Sequence, residues 1–214
     1  MASSSSVFTN QRAQAVLCWI AAAELLALIL QLAGAIPYVG ILDTVLSVAA
    51  PTLVLAVFAV LFNQLRPSAW ALVGLLFQVV NTTMTLTGDA LQHVVFHSTN
   101  SAIDKGSLWV VTGAIRDTVG NNFLYLALAI MGVLLLAEQR RWLGALALVN
   151  AALGWLDLAF AQQVGLPPHV NFLLLVVWLV LLGGSTWRTS TAVSREHRPI
   201  FMPQIQLGTG GSRT

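Results

Sequence analysis

The stretch from Trp70 to His97 reads WALVGLLFQVVNTTMTLTGDALQHVVFH and combines two features that bear on the whole fold. Most of it is apolar enough to lie in lipid, yet six polar residues recur at steps of four, three, four, four and four. At about 3.6 residues per turn, this spacing predicts that all six share one helix face. Lipid cannot satisfy such a face, so we expect it to turn toward protein or water. The six residues are Gln78, Thr82, Thr85, Asp89, His93 and His97.

The composition is that of a protein surrounded by lipid. Of its 214 residues, 57% are hydrophobic and only 8% are charged, with a mean hydropathy of +0.81. An average soluble domain has about 25% charged residues, so these few charges cannot cover a water-exposed surface. The single cysteine, Cys18, excludes an internal disulfide or a cysteine metal cluster within this chain.

Long apolar runs, separated by short polar breaks, predict an all-α integral membrane protein with six transmembrane helices. Residues 1–12 are predicted to be a disordered lead, 13–187 the six-helix bundle, and 188–214 a mobile cytoplasmic tail. A Gly-Asn-Asn break at 120–122 makes 107–119 an outer extension or a short interfacial helix ahead of the fourth span. The spans are predicted at about 14–36, 41–63, 68–97, 121–138, 142–161 and 169–187.

The basic residues predict the orientation of the bundle. Six spans place both termini on one side, together with eight of the ten basic residues; Lys105 and Arg116 fall on the other side. The positive-inside rule then puts both termini in the cytoplasm, as in a multi-pass protein of the bacterial inner membrane. Nucleic-acid binding has no support, because the basic residues follow the topology. The eight are Arg12, Arg66, Arg140, Arg141, Arg188, Arg195, Arg198 and Arg213.

The fifth span begins Arg141-Trp142-Leu143-Gly144 and reaches Gly154-Trp155-Leu156-Asp157. This pattern resembles one in a family of uncharacterised bacterial multi-pass membrane proteins. In that family a short basic turn leads into a Leu-Gly helix that ends in Gly-aromatic-x-Asp, and the hinge FNQLRP at 62–67 is also similar. The resemblance implies an all-helical membrane fold and no particular activity.

Polar residues at depth are the candidates for binding. Counting about 1.5 Å per residue from the cytoplasmic ends places Glu24, Gln78 and Asn150 near the middle of the bilayer. A midplane carboxylate is costly when ionised, so Glu24 is either a proton- or cation-binding group or a neutral acid bonded to Gln78, Asn150 or a backbone carbonyl. The predicted solute-binding residues are Glu24, Gln78, Asp89, Asn121, Asn150 and Asp157.

The outer end of the same stretch carries the pattern Asp-x-x-x-His-x-x-x-His. Asp89, His93 and His97 can present two imidazoles and a carboxylate to one zinc or copper ion, with Asp157, Asp117 or His169 completing the shell. The alternative is that this turn stands among lipid headgroups, where polar side chains are simply solvated. Haem is less favoured, because His93 and His97 cannot take opposite faces of one ring.

Three functions follow from these features. The first is an inner-membrane protein whose outward-opening polar cavity binds a small molecule or ion, with transport as one use of such a site. The second is a metal-dependent membrane enzyme built on Asp89, His93 and His97. The third is a non-catalytic subunit of a larger membrane complex, partnered by other membrane proteins as well as by the bilayer. The sequence leaves open whether any reaction is catalysed.

Overall fold

The computed structural model of the chain is all-helical throughout the residues it describes, which are 4–37, 40–65, 68–97, 104–164 and 170–196. A seven-residue π-helical segment, Ala114–Gly120, joins two of the seven α-helices. The helices are α1 (Ser4–Leu32), α2 (Gly40–Gln64), α3 (Ala69–His97), α4 (Lys105–Gly113), α5 (Asn121–Ala137), α6 (Arg141–Val164) and α7 (Val170–Glu196).

Six segments among these residues are long and apolar enough to cross a membrane, which confirms the predicted number of spans. The protein is therefore a multi-pass helical membrane protein. The six segments are Gln11–Leu32, Val45–Gln64, Ala69–His93, Lys105–Ala137, Arg141–Phe160 and Val170–Thr189.

The six spans form a ring in chain order. Each packs on the next along the sequence, from α1 through α2, α3, α5 and α6 to α7, and α7 returns to pack on α1. Short connections favour such neighbours, because a chain that has just crossed the bilayer turns back beside its own exit point. Inside the ring lies an apolar core supplied chiefly by α1, α2, α5, α6 and α7.

Trp178 of α7 stands at the centre of that core and is fully buried. Its ring lies 6.0 Å from the ring of Phe58 on α2, and its indole Nε1 donates to the Leu143 carbonyl of α6 at 3.0 Å. The polar edge of the largest core side chain is therefore satisfied, as a water-free interior requires.

The hairpin of α5 and α6 is held by a close approach of two backbones. A Cβ added to Gly144 would lie 2.7 Å from the Gly132 carbonyl oxygen, and one added to Gly132 would lie 3.0 Å from the Gly144 oxygen. Further along the same interface, the Tyr125 ring lies against Gly154, where a Cβ would collide with the ring. Small residues allow helices to gain van der Waals contact where lipid offers no hydrophobic driving force.

The fourth crossing differs from its predicted form. Residues 105–137 are one continuous helical segment, and the Gly-Asn-Asn site at 120–122 is the junction of the π-helical turns with α5 rather than a break. At roughly 1.5 Å per residue such a segment exceeds a hydrocarbon core of about 30 Å, so it extends beyond the bilayer. Asp104 caps its start, accepting from the Ser107 amide at 3.3 Å, and the hydrogen bond from the Ser107 hydroxyl lowers the pKa of Asp104.

Helices α1 and α7 contact each other through aromatic side chains at one end of the bundle. The Arg12 guanidinium lies 5.5 Å from the centroid of the Trp187 ring, and the rings of Trp19 and Trp187 pack at a tilt with centroids 5.6 Å apart. Gln64 bonds both Gln14 and Arg140, the latter at 3.4 Å, which brings the end of α2 and the α5–α6 turn to the same end. Arg12 and Arg140 thus lie at the same end of the bundle, and the cytoplasmic side of that end stays a prediction.

Both terminal regions depart from the predicted boundaries. The segment 1–12 is predicted to be a disordered lead, with the bundle starting at residue 13. In the structure α1 begins at Ser4, nine residues earlier. At the other end, α7 continues to Glu196, into the segment predicted as a mobile tail. Residues 197–214 lie outside the part of the chain that the structure describes.

Candidate functional site

The polar face of α3 turns toward protein over most of its length. This helix packs on α2, on α5 and on the α4–π-helical segment. Its buried polar side chains follow a pattern different from the predicted one, because Asn81 and Gln92 are buried while His93 is exposed. The predicted members Gln78 and Thr82 are buried, and Thr85 and Asp89 are half-buried.

Helix geometry explains this departure from the predicted stripe. Each step of four residues advances about 400°, so three successive steps from Thr85 to His97 rotate the stripe by about 120°. Steps of seven drift by only about 20° each, and Gln78, Thr85 and Gln92 are related by such steps. Gly74, Asn81 and Gly88 follow the same seven-residue spacing. This repeat is the signal in the sequence that identifies the buried face.

The middle of the face forms a seam with α2, at the turn that contains Pro51. The Gln78 side-chain Nε2 donates to Thr82 Oγ1 at 3.4 Å, and Thr82 Oγ1 donates to the Pro51 carbonyl at 3.3 Å. One turn toward the start of α3, Gly74 lies against Ile130 and Met131 of α5. The amide of Gln78 thus lies inside the bundle between two neighbouring helices.

Two oxygen atoms of this seam have no hydrogen-bond partner. Gln78 is 0% exposed and its Oε1 is unpartnered; Asn81 is 5% exposed and its Oδ1 is unpartnered. Burying an acceptor without a hydrogen bond lowers the stability of a protein by about 1–3 kcal/mol, and hydrocarbon supplies no donor to offset this cost. Inside the protein, neither oxygen has the hydrogen bond that would offset its burial. We use the name α3 seam for Gln78, Asn81, Thr82 and Pro51.

The C-terminal part of the face is closed by Arg116 from the π-helical segment. Its Nη1 contacts Asp89 Oδ1 at 3.1 Å and Gln92 Oε1 at 2.8 Å, while Nε and Nη2 bind the carboxylate of Asp117 at 2.6 and 2.9 Å. The Arg116 and Asp89 side chains are 30% and 18% exposed. This cluster pairs the charges of Arg116, Asp89 and Asp117 toward the C-terminal end of α3. π-Helical turns often occur at functional positions.

Glycine at position 88 makes the close contact with Arg116 possible. A Cβ at Gly88 would lie 2.8 Å from the Arg116 Cβ and 3.1 Å from the Thr112 carbonyl oxygen. Beside it, Gln92 is buried, and its Nε2 has no partner although its Oε1 accepts from Arg116. Sequence reasoning missed Gln92 and Gly88, which the seven-residue spacing marks.

The other predicted solute-binding residues are spread over different interfaces. Glu24 is half-buried on α1, which packs chiefly on α2 and α7, and it makes no hydrogen bond to a described residue. Asn121 on α5 and Asp157 on α6 are also half-buried. The predicted bond from Glu24 to Gln78 or Asn150 does not form, because α1 packs chiefly on α2 and α7, whereas these two amides lie on α3 and α6.

Asn150 is a link between α6 and α7. With its amide oriented to suit its neighbours, it donates to the Asn171 carbonyl at 2.9 Å and accepts from the Leu175 amide at 3.2 Å. A second link lies beyond it, where the Asn171 side chain donates to the hydroxyl of Tyr125. Asn150 is therefore buried because its side chain joins α6 to the backbone of α7.

The predicted metal ligands do not form a complete shell within the described residues. Asp89 is bound to Arg116, His93 is exposed, and the side chain of His97 and all of His169 lie outside the described part. No group of three or more His, Cys, Asp or Glu side chains able to hold a metal ion occurs among the described residues. Zinc or copper binding by Asp89, His93 and His97 stays a prediction.

Comparison of this chain with protein-family models, with curated proteins and with solved structures finds no match.

Proposed function

We propose that this multi-pass membrane protein binds a small polar solute or ion in the α3 seam. The observation that carries the proposal is the pair of buried, unpartnered carbonyl oxygens on Gln78 and Asn81. Two such atoms on one face of one helix lower the stability of the protein, because no protein group bonds them. A bound species that donates hydrogen bonds or carries positive charge replaces the interactions with water that these atoms lose on burial.

The surroundings of the seam favour entry from the outer side of the membrane. Outward from Gln78, the face of α3 continues with Thr85, Asp89 and Gln92, so a polar species meets polar groups along this direction. Toward the other end, the face carries the buried Ala71 and Gly74, packed against other protein. The Arg116 cluster would then be the contact that opens to admit the ligand.

The other functions stay predictions from the sequence. A metal-dependent enzyme requires ligands beyond Asp89 and His93, and a role as a subunit of a complex requires a partner surface. No contact among the described residues favours either over solute binding. The inner-membrane location and the resemblance to a family of uncharacterised membrane proteins likewise stay predictions.

Cysteine accessibility tests whether the α3 seam is reached by polar species. In a Cys18→Ala background, Gln78→Cys and Asn81→Cys are treated in membranes with a charged, membrane-impermeant methanethiosulfonate. Matched controls are Leu76→Cys and Val79→Cys, whose native side chains are 52% and 41% exposed on the lipid-facing side of the same helix. We expect the seam positions to react about ten-fold faster, because only a hydrated thiol ionises and attacks the reagent.

The orientation of the seam is tested by adding the reagent from one side at a time. Faster reaction from the outer side supports the proposed direction of entry. Reaction of the two seam variants at the rate of the lipid-facing controls would show that no polar species reaches the seam, and the proposed function would be wrong.

A further inference from the structure

We infer that the ligand of the α3 seam is a monovalent cation held by uncharged oxygens, an inference that rests on the proposed function. The unpartnered atoms in the seam, Gln78 Oε1 and Asn81 Oδ1, are both acceptors. The donor end of the Gln78 amide is already directed at Thr82. A species bound to these two atoms therefore has to supply positive charge or donors, because neither atom offers a hydrogen bond to an anion.

The turn of α2 that leads to Pro51 has a backbone carbonyl without its usual helical donor. Pro51 has no N–H, so it cannot donate to the Ser47 carbonyl one turn earlier. The bond from Thr82 to the Pro51 carbonyl shows that this turn of α2 lies against α3. Carbonyls released where a membrane helix is interrupted are ligands for alkali cations in transport proteins.

The absence of a nearby free carboxylate on α3 argues for a single positive charge. Asp89 lies eleven residues from Gln78, or about 16 Å along the helix axis, and it is paired with Arg116. Calcium and magnesium sites depend on carboxylates and ordered water, whereas uncharged carbonyl oxygens suffice for potassium or sodium. A monovalent cation therefore fits the charge of this part of the seam better than a divalent one.

The test is a titration of the purified protein in non-ionic detergent with NaCl or KCl. N-methylglucamine chloride holds the ionic strength constant, because that cation is too large and too hydrated for a seam lined by two amides. We expect Na⁺ or K⁺ to raise the Tm by a few degrees along a saturating curve, since a ligand that binds only the folded state stabilises it. Identical Tm values in all three salts would overturn the inference without any variant.

Variants locate the effect. Gln78→Leu and Asn81→Leu remove the acceptors, so the cation-dependent rise in Tm should disappear in each. Gln31→Leu is the matched control: Gln31 is also 0% exposed with an unpartnered side-chain amide, but it lies on α1. Loss of the cation-dependent rise in the control as well, or its persistence in both seam variants, would place the cation elsewhere and overturn the inference.

The two experiments fail separately. If the seam cysteines react with the polar reagent and no alkali cation changes the Tm, the cation inference is wrong and a neutral polar solute remains as the ligand. If the seam cysteines react no faster than the controls and no cation changes the Tm, the proposed function is wrong as well.

Discussion

Helices α3 and α7 are both long spans of the same ring, and they bury opposite kinds of side chain. On α7 the buried residues facing the core are Leu175, Trp178, Leu179 and Leu182. On α3 they include Gln78, Asn81, Thr82 and Gln92, while none of the α3 side chains described, those of residues 69–93, belongs to the buried core cluster. A single bundle thus contains one span packed for stability and one span that lines polar interfaces.

The two helices also differ in whether their buried polar atoms are hydrogen-bonded. Buried polar side chains on α7 are bonded: Asn171 to Tyr125, and Thr186 to the Leu182 carbonyl at 2.9 Å. On α3, three buried amide atoms have no partner, on Gln78, Asn81 and Gln92. Because an unmade hydrogen bond in a water-free interior lowers stability, the unmet groups of α3 point to a task other than holding the fold together.

The largest expected effect is the loss of Trp178. Trp178→Ala removes a fully buried side chain, its contact with Phe58 and its hydrogen bond to Leu143. We expect the free energy of unfolding to fall by about 3–5 kcal/mol, from lost packing and the cavity left behind. Reversible unfolding in mixed detergent micelles measures it.

The matched control is Val180→Ala on the same helix, at a side chain 47% exposed on the surface of the bundle. Val180→Ala should lower the free energy of unfolding by much less than Trp178→Ala does, since lipid or detergent fills the space left by the shorter side chain. Similar losses for the two variants would contradict the assignment of α7 as the helix that stabilises the core.

A smaller effect separates the amides of the two helices. Asn171→Leu should lower the free energy of unfolding by about 1 kcal/mol, because Tyr125 and the Phe172 amide lose their partner. Gln78→Leu should be neutral or stabilising when measured in N-methylglucamine chloride, because it replaces an unsatisfied amide by an apolar group of similar size. Equal destabilisation by both substitutions would show that Gln78 is a structural residue, and the contrast between α3 and α7 would fail.

The smallest effect concerns the ion pair in the C-terminal half of α3. In a double-mutant cycle of Asp89→Asn and Arg116→Gln, we expect a coupling of about 0.5 kcal/mol, because both side chains are partly exposed and Arg116 also binds Asp117. Thermal unfolding of the wild type, both single variants and the double variant measures it. A coupling of zero would mean that the pair does not close the seam.

Hydropathy alone predicted the six crossings, because each is a local run of apolar side chains long enough to span the bilayer. It divided the fourth crossing at Gly120, which reads as a helix breaker in isolation. In the structure Gly120 is buried, lies against Thr85 of α3 and continues the helix through π-helical turns. A neighbouring helix that accepts close approach of the backbone overrides the local preference for a turn.

The sequence by itself determined that this is a helical membrane protein, that it crosses six times, and that its third span has a polar face, since these properties depend on composition and periodicity along one helix. Only the tertiary structure decided which polar groups meet. Arg116 pairs with Asp89, 27 residues away, and Asn150 bonds the backbone of α7 rather than Glu24. The physical reason is that a helical period states which side chains share a face, whereas a hydrogen bond depends on which helix lies opposite and in what register. Adjacent residues of a helix point about 100° apart, so Gln92 and His93 cannot face the same neighbour. The packing of α3 against the π-helical segment decides that Gln92 is buried and His93 is exposed.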